Sequence, residues 1–219
     1  MKKLLNDLKG KYIDAIRRVG ALVEPIHDQG EAVKKASKAL SNCMYYDHAE
    51  CMLTMHKESD RMSELQAEKN AIVTSVKDAA EEARVQVRQL INKSVEVKAE
   101  AVNPAEVCLI LTGLYTDDQI RGLADKYSDN VSMLRVISKY ADQRDGLKEL
   151  SARIDDRNGR NITNALNRLI SIGDQAVTKA GIYRAEGSVA EDQVRGYTEA
   201  ADGLISDIVG FMNVIQCQK

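Results

Sequence analysis

The sequence predicts an all-α protein, with an elongated, coiled-coil-like long helix and a bundle of shorter helices. Three observations carry this. The 219 residues include no Trp, one Phe and eight Tyr, while hydrophobic residues still make up 44%. A core of that size must then be built mostly from Ala, Val, Leu, Ile and Met, which helices pack well and sheets rarely do. Apolar residues recur at three- and four-residue steps over most of the chain. Only two prolines, Pro25 and Pro104, interrupt it, so long helices can run unbroken.

The first helix is read from Leu4, Leu8, Tyr12, Ala15, Ile16, Val19, Leu22 and Val23, one face of a helix that ends before Pro25. Its other face is basic, with Lys2, Lys3, Lys9, Lys11, Arg17 and Arg18 against Asp7 and Asp14. From Gly30 to about Val102 there is no Pro and no further Gly, and this stretch is expected to be one very long helix. About 70 residues of helix would run roughly 105 Å at ~1.5 Å per residue. Its later half keeps a seven-residue register, with Met62, Val76, Ala83, Leu90 and Val97 in one seam position and Leu65, Ile72 and Ala79 in the other. Lys69 and Gln86 interrupt that register. Such a seam requires a neighbouring helix, from this chain or from another copy.

The middle is punctuated by helix starts. Asn103-Pro104-Ala105-Glu106 supplies an N-cap, a proline in the first helical position and a glutamate placed to cap back. That helix stops near Gly113. Thr116-Asp117-Asp118-Gln119 is a second capping box, and Asp129-Asn130 opens a third short helix. Beyond Gly146 a helix is expected to run to Asp156. The turn Arg157-Asn158-Gly159 then leads to the stripe Ile162, Leu166, Leu169, Ile170, Ala176 and Val177, which Gly181 ends. Ser188-Val189-Ala190-Glu191 caps a last helix, whose seam is Val194, Tyr197, Ala201, Leu204, Ile208, Phe211 and Ile215. Gly196, Gly203 and Gly210 recur every seven residues on the other side of it. Either a second backbone approaches that side closely, or the terminal helix tolerates them at about 1 kcal/mol each. The expected divisions are 1–102 for the amphipathic and long helices, 103–145 for a compact three-helix module, and 146–219 for a C-terminal helical hairpin.

Charge excludes a general polyanion binder, since 31 Lys and Arg face 33 Asp and Glu for a net charge of −2. No run approaches the ~18 apolar residues of a membrane span, and no apolar run follows the basic start, so no membrane association is expected and a cytoplasmic location is. Cys43, Cys51, Cys108 and Cys217 lack CxxC spacing and are read as reduced thiols. The segment 182–219 is acidic, and its carboxylates could meet the basic first helix between subunits.

Candidate chemistry is sparse. The densest set of donors is Cys43, His48, Cys51, Met52, Met55 and His56, of which His48, Cys51 and Met55 share a helix face and offer soft ligands to copper or zinc. Core packing explains the same thiols and thioethers. No GxSxG, GxGxxG or P-loop pattern occurs, and the Asp155–Gly159 stretch lacks the first and last ligands of a calcium loop. The sequence therefore predicts no enzyme, no metal and no cofactor. For nucleic acid the candidates are Lys2, Lys3, Lys9, Arg17 and Arg18, helped by Arg84 and Arg88, with Tyr12 the single aromatic nearby.

Asn103 to Asp142 resembles the small helical proteins among the virion and head-assembly products of tailed bacteriophages. The similar features are the capped TxxQ helix at Thr116, the Leu123-Ala124-x-Lys126-Tyr127 segment, and Asn130 followed by Met133-Leu134-Arg135 and Tyr140-Ala141. The resemblance covers about forty residues. It implies a structural protein of a virion or of its assembly, in a scaffolding, decoration or connector-associated role, with other virion or assembly proteins as partners. On this reading the protein is a homo-oligomer. Its interface residues are Leu65, Ile72, Val76 and Leu90 on the long seam, and Tyr197, Leu204, Ile208 and Phe211 at the C-terminus. Alternative readings are a soft-metal binding or storage protein using His48, Cys51 and Met55, and a nucleic-acid accessory protein using the basic first helix.

Overall fold

The computed structural model describes residues 1–94, 101–155, 159–184 and 187–217. The described residues form nine α-helices: α1 Lys2–Ala21, α2 Val23–Asn42, α3 His48–Ser94, α4 Pro104–Leu111, α5 Asp117–Lys126, α6 Val131–Ala141, α7 Lys148–Asp155, α8 Asn161–Ala180 and α9 Ala190–Cys217. The all-α expectation holds, with one addition. A two-residue antiparallel pair, β1 Tyr183–Arg184 and β2 Gly187–Ser188, joins α8 to α9. Val97, Asp156, Arg157, Asn158 and Glu186 lie outside the described residues, as do the side chains of Ser188 and Ile215.

The long helix is shorter than its sequence suggests. α2 continues through Gly30 to Asn42, the chain becomes extended at Cys43 and Met44, and a 3₁₀ turn at Tyr45–Asp47 leads into the 47-residue α3. Neither Pro nor Gly marks this break. Ser41, Asn42, Cys43, Tyr45, Tyr46, Asp47 and His48 are all mediocre helix formers, and their concentration within eight residues is the cause. The turn reverses the chain. Gln29 donates from Nε2 to the Glu58 carbonyl oxygen at 2.9 Å and to its carboxylate at 2.6 Å, while a Cβ on Gly30 would lie 3.4 Å from Met62. α2 and the first half of α3 are therefore an antiparallel hairpin.

Two compact units interleave along the sequence, in place of three successive ones. The first comprises Lys3–Glu82 and Leu169–Asp202; the second comprises Met1–Lys2, Ala83–Arg168 and Gly203–Lys219. In the first unit Leu5, Leu8, Tyr12, Ala15, Ile16 and Val19 of α1 are buried, as their spacing predicts. The Tyr12 ring is stacked at a tilt on Tyr197 of α9, with centroids 5.4 Å apart, and its hydroxyl donates to Asp174 of α8 at 2.8 Å. Gly173 lies directly beneath that ring, and a Cβ there would come within 2.6 Å of it.

The second unit holds a separate core, built from Ile110, Ile120, Leu123, Met133, Leu134, Ile137 and Leu147 with Leu150 and Ile154. The last two belong to α7, so the module expected to close at residue 145 takes in a fourth helix. Three of the caps read from sequence are present here. Asn103 accepts from the amides of Ala105 and Glu106, Asn130 accepts from Met133, and Thr116 and Gln119 form the reciprocal box. Glu106 departs from expectation, since its carboxylate accepts from Lys126 Nζ at 2.6 Å instead of capping back.

Candidate functional site

The eight residues read as interfacial are mostly core. Leu65, Ile72, Val76, Tyr197, Leu204 and Ile208 are buried by this chain, Leu90 is half-buried, and Phe211 alone is exposed, at 39%. The physical reason is intramolecular cover. In the first unit α1 and α3 share a groove of about 490 Å³ lined by Gly10, Lys11, Asp14, Arg18, Ile72 and Val76. Lys69, a polar break in the seam, donates to the carbonyl oxygen of Gly181 at 3.3 Å and so serves the end of α8. At Leu65, Ile72 and Val76 the seam is covered within the chain.

The basic face of α1 is engaged in the same way. Lys9 pairs with Asp202 at 2.7 Å, Arg17 with Glu191 at 3.1 Å and Arg18 with Asp14 at 3.5 Å. The basic and acidic ends expected to meet between subunits meet within one chain. Of the five cations proposed to reach phosphate, Lys2 and Lys3 are exposed. Arg84 donates to Asn167 at 3.3 Å.

At the α2–α3 turn the structure corrects the reading of free thiols. Cys43 and Cys51 are joined as a disulfide, with Cα atoms 7.0 Å apart. That bond occupies the sulfur which the soft-metal reading needs beside His48 and Met55. Among the described residues, no three His, Cys, Asp or Glu side chains gather in a way that would hold a metal ion. Cys108 is free and exposed.

Exposed apolar side chains concentrate in two places. One is this turn, with Met44 at 80%, Tyr45 at 91% and Leu53 at 71% exposure. The other is the end of α4, where Leu111 is 68% exposed and Leu114 70%, beside Leu109 and Cys108. α4 is apolar on every side after its first turn (Val107-Cys108-Leu109-Ile110-Leu111), so one face enters the core through Ile110 and the opposite face has to remain outside. The exposed end is rigidly closed. Gly113 adopts φ +74°, its amide donates to Ile110 at 3.1 Å, and the Leu114 amide donates to Leu109 at 3.3 Å. This is the Schellman pattern, in which the residue after the glycine folds back towards the one three before the cap. Sequence reasoning stopped the helix at Gly113 but did not single out this leucine cluster. The signal was the unbroken apolar run from Val107 to Leu111.

The Glu106–Lys126 bridge lies on the same module, and the Lys126 ammonium holds the Glu106 carboxyl below its ordinary range. In the first unit, burial pushes the Tyr197 hydroxyl well above its usual value, with the Asp174 carboxylate adding to the shift. No helix among the described residues is long and apolar enough to cross a membrane. No protein-family model, curated protein or solved structure matches this chain.

Proposed function

We propose that this chain is a non-enzymatic assembly protein of a bacteriophage particle, acting by helix-to-helix self-association and by docking to a larger protein assembly. The observation that carries the reading is the apolar end of α4. Leu109, Leu111 and Leu114 are presented to solvent on a closed Schellman turn, so little ordering is needed before a partner covers them. Covering their remaining exposed surface is worth roughly 3 to 5 kcal/mol per copy. Exposed apolar clusters of this kind mark contact surfaces. The cluster also falls inside Asn103–Asp142, the segment that resembles phage virion and head-assembly proteins. Because the long seam is covered by the chain itself, self-association is assigned to α4, with Phe211 of α9 as a further exposed contact.

Cys108 supplies the test, being exposed on α4 beside these leucines. In a chain whose other three cysteines are serine, a short thiol cross-linker should join two copies through Cys108. Leu111→Asp with Leu114→Asp should suppress that product severalfold. Absence of cross-linked dimer, or a yield unchanged by the two aspartates, overturns the assignment.

A further inference from the structure

The turn joining α2 to α3 carries chemistry that the assembly reading does not use. Cys43 directly follows the last residue of α2, and Cys51 is the fourth residue of α3. Their bond closes a loop with a sequence separation of 8. Both cysteines are half-buried, yet they are surrounded by Met44, Tyr45, Met52 and Leu53, all exposed, so small molecules can reach the pair. The chain is no disulfide-stapled scaffold, since it builds two cores without this bond and keeps Cys108 as a free thiol. A single accessible disulfide at a turn belongs to the labile, regulatory kind.

The two sulfurs sit in opposite helix fields. Cys51 lies near the amino end of a 47-residue helix, on the side of the helix dipole that favours an anion. Cys43 follows the carbonyl end of α2, where the dipole acts the other way, and its Sγ lies 3.8 Å from the carbonyl oxygen of Asp47. An S–H group suits that position better than an anion. His48 and Asp47, three and four residues before Cys51, lie on the same helix face with opposite charge when His48 is protonated. Glu50, one residue before Cys51, projects to a different side.

We propose that Cys43 and Cys51 are a reversible redox pair whose co-reactant is a low-molecular-weight disulfide of the glutathione class, with Cys51 the attacking thiol and Cys43 the resolving one. The Cys51 thiolate attacks one sulfur of the small disulfide, forming a mixed disulfide and releasing one small thiolate, which takes up the proton that Cys51 lost. The Cys43 thiol then gives up its proton and attacks the Cys51 sulfur. The Cys43–Cys51 bond forms, and the second small thiol leaves with that proton. Two protein thiols are oxidised and one small disulfide is reduced to two thiols, with no other reactant. Excess small thiol runs the steps backwards. Oxidation fastens the turn that displays Met44 and Tyr45, and reduction frees it.

The experiment uses the full chain with Cys108→Ser and Cys217→Ser, reduced, freed of reductant and exposed to glutathione disulfide, with thiols counted and intact mass measured after acid quench. Loss of both thiols with no glutathione retained, reversed by dithiothreitol, is expected. Adding Cys43→Ser should leave one glutathione trapped on Cys51. Adding Cys51→Ser should slow adduct formation severalfold relative to Cys43→Ser. Persistence of both thiols, two retained glutathiones, or equal rates for the two single variants overturns the proposal. Far-UV circular dichroism verifies each fold, and alanine replaces serine at any position where helix is lost.

Discussion

Gly173→Ala and Gly196→Ala place the same methyl group in the interior of two helices of the same unit, and the structure gives them opposite signs. At Gly173 the new carbon would lie 2.6 Å from Cδ1 and Cε1 of Tyr12 and 2.8 Å from Cγ. The obstacle is a fully buried ring, held from the other side by Tyr197 and by the hydrogen bond to Asp174. Overpacking of this kind costs about 1–3 kcal/mol, and displacing the hydroxyl from a carboxylate puts a further ~1.5 kcal/mol at risk. Alanine returns about 1 kcal/mol of helix propensity, which leaves a net loss of about 2 kcal/mol. At Gly196 a Cβ meets nothing within 4 Å, so only the propensity gain of about 0.5–1 kcal/mol remains. Urea unfolding followed by circular dichroism reads both, as midpoint shifts at unchanged slope. In thermal unfolding, a midpoint about 4 °C lower for the first and about 2 °C higher for the second is expected. Equal shifts, or a stabilised Gly173→Ala, would refute the packing of α1 on α8.

Other consequences are accessible to the same assays. Tyr12→Phe keeps the ring stack and removes the hydroxyl that donates to Asp174, so a loss of about 1.5 kcal/mol in the urea midpoint is expected. The oxidised chain should exceed the Cys43→Ser/Cys51→Ser variant by about 2.5 kcal/mol, from the closure entropy of a loop with separation 8. Because Lys126 lowers the Glu106 pKa below its ordinary 4.5, the stability from this pair is complete above that value and lost as pH falls through the folded one. Lys126→Met should therefore lose less stability than the wild type as pH falls below 4.5, and a parallel decline in both would contradict the assignment.

Sequence exposed the elements whose signals are local. The Thr116–Gln119 box, the Asn103 and Asn130 caps and the turn at Gly113 all satisfy orphan backbone groups within a few residues, so their chemistry is written contiguously. The break between α2 and α3 has no such marker, because several weak propensities add up where no single residue forbids a helix. The identity of a seam's partner is not local either. Ile72 and Val76 advertise an apolar stripe, but α1 covers it, and a heptad pattern reads the same for a neighbour in the chain or in another copy. Lys9 and Asp202 stand 193 residues apart, so charge counts suggested that two ends attract without saying that one molecule closes the contact. The glycines make the same point. Gly173 accommodates a buried ring, whereas the regular row Gly196, Gly203 and Gly210 faces open space. Exposure of Leu111 and Leu114 depends on which side of an all-apolar helix the core takes, and that is decided by α5, α6 and α7.

The central claim is that the apolar end of α4 is a contact surface for assembly, and the absolute mass of the full chain in solution tests it most directly. Light scattering after size exclusion, over a tenfold concentration range, should give a multiple of the 24.2 kDa chain mass for the wild type and a single chain mass for Leu111→Asp/Leu114→Asp. A wild-type mass of 24.2 kDa throughout, or an oligomer that survives both aspartates, would contradict it.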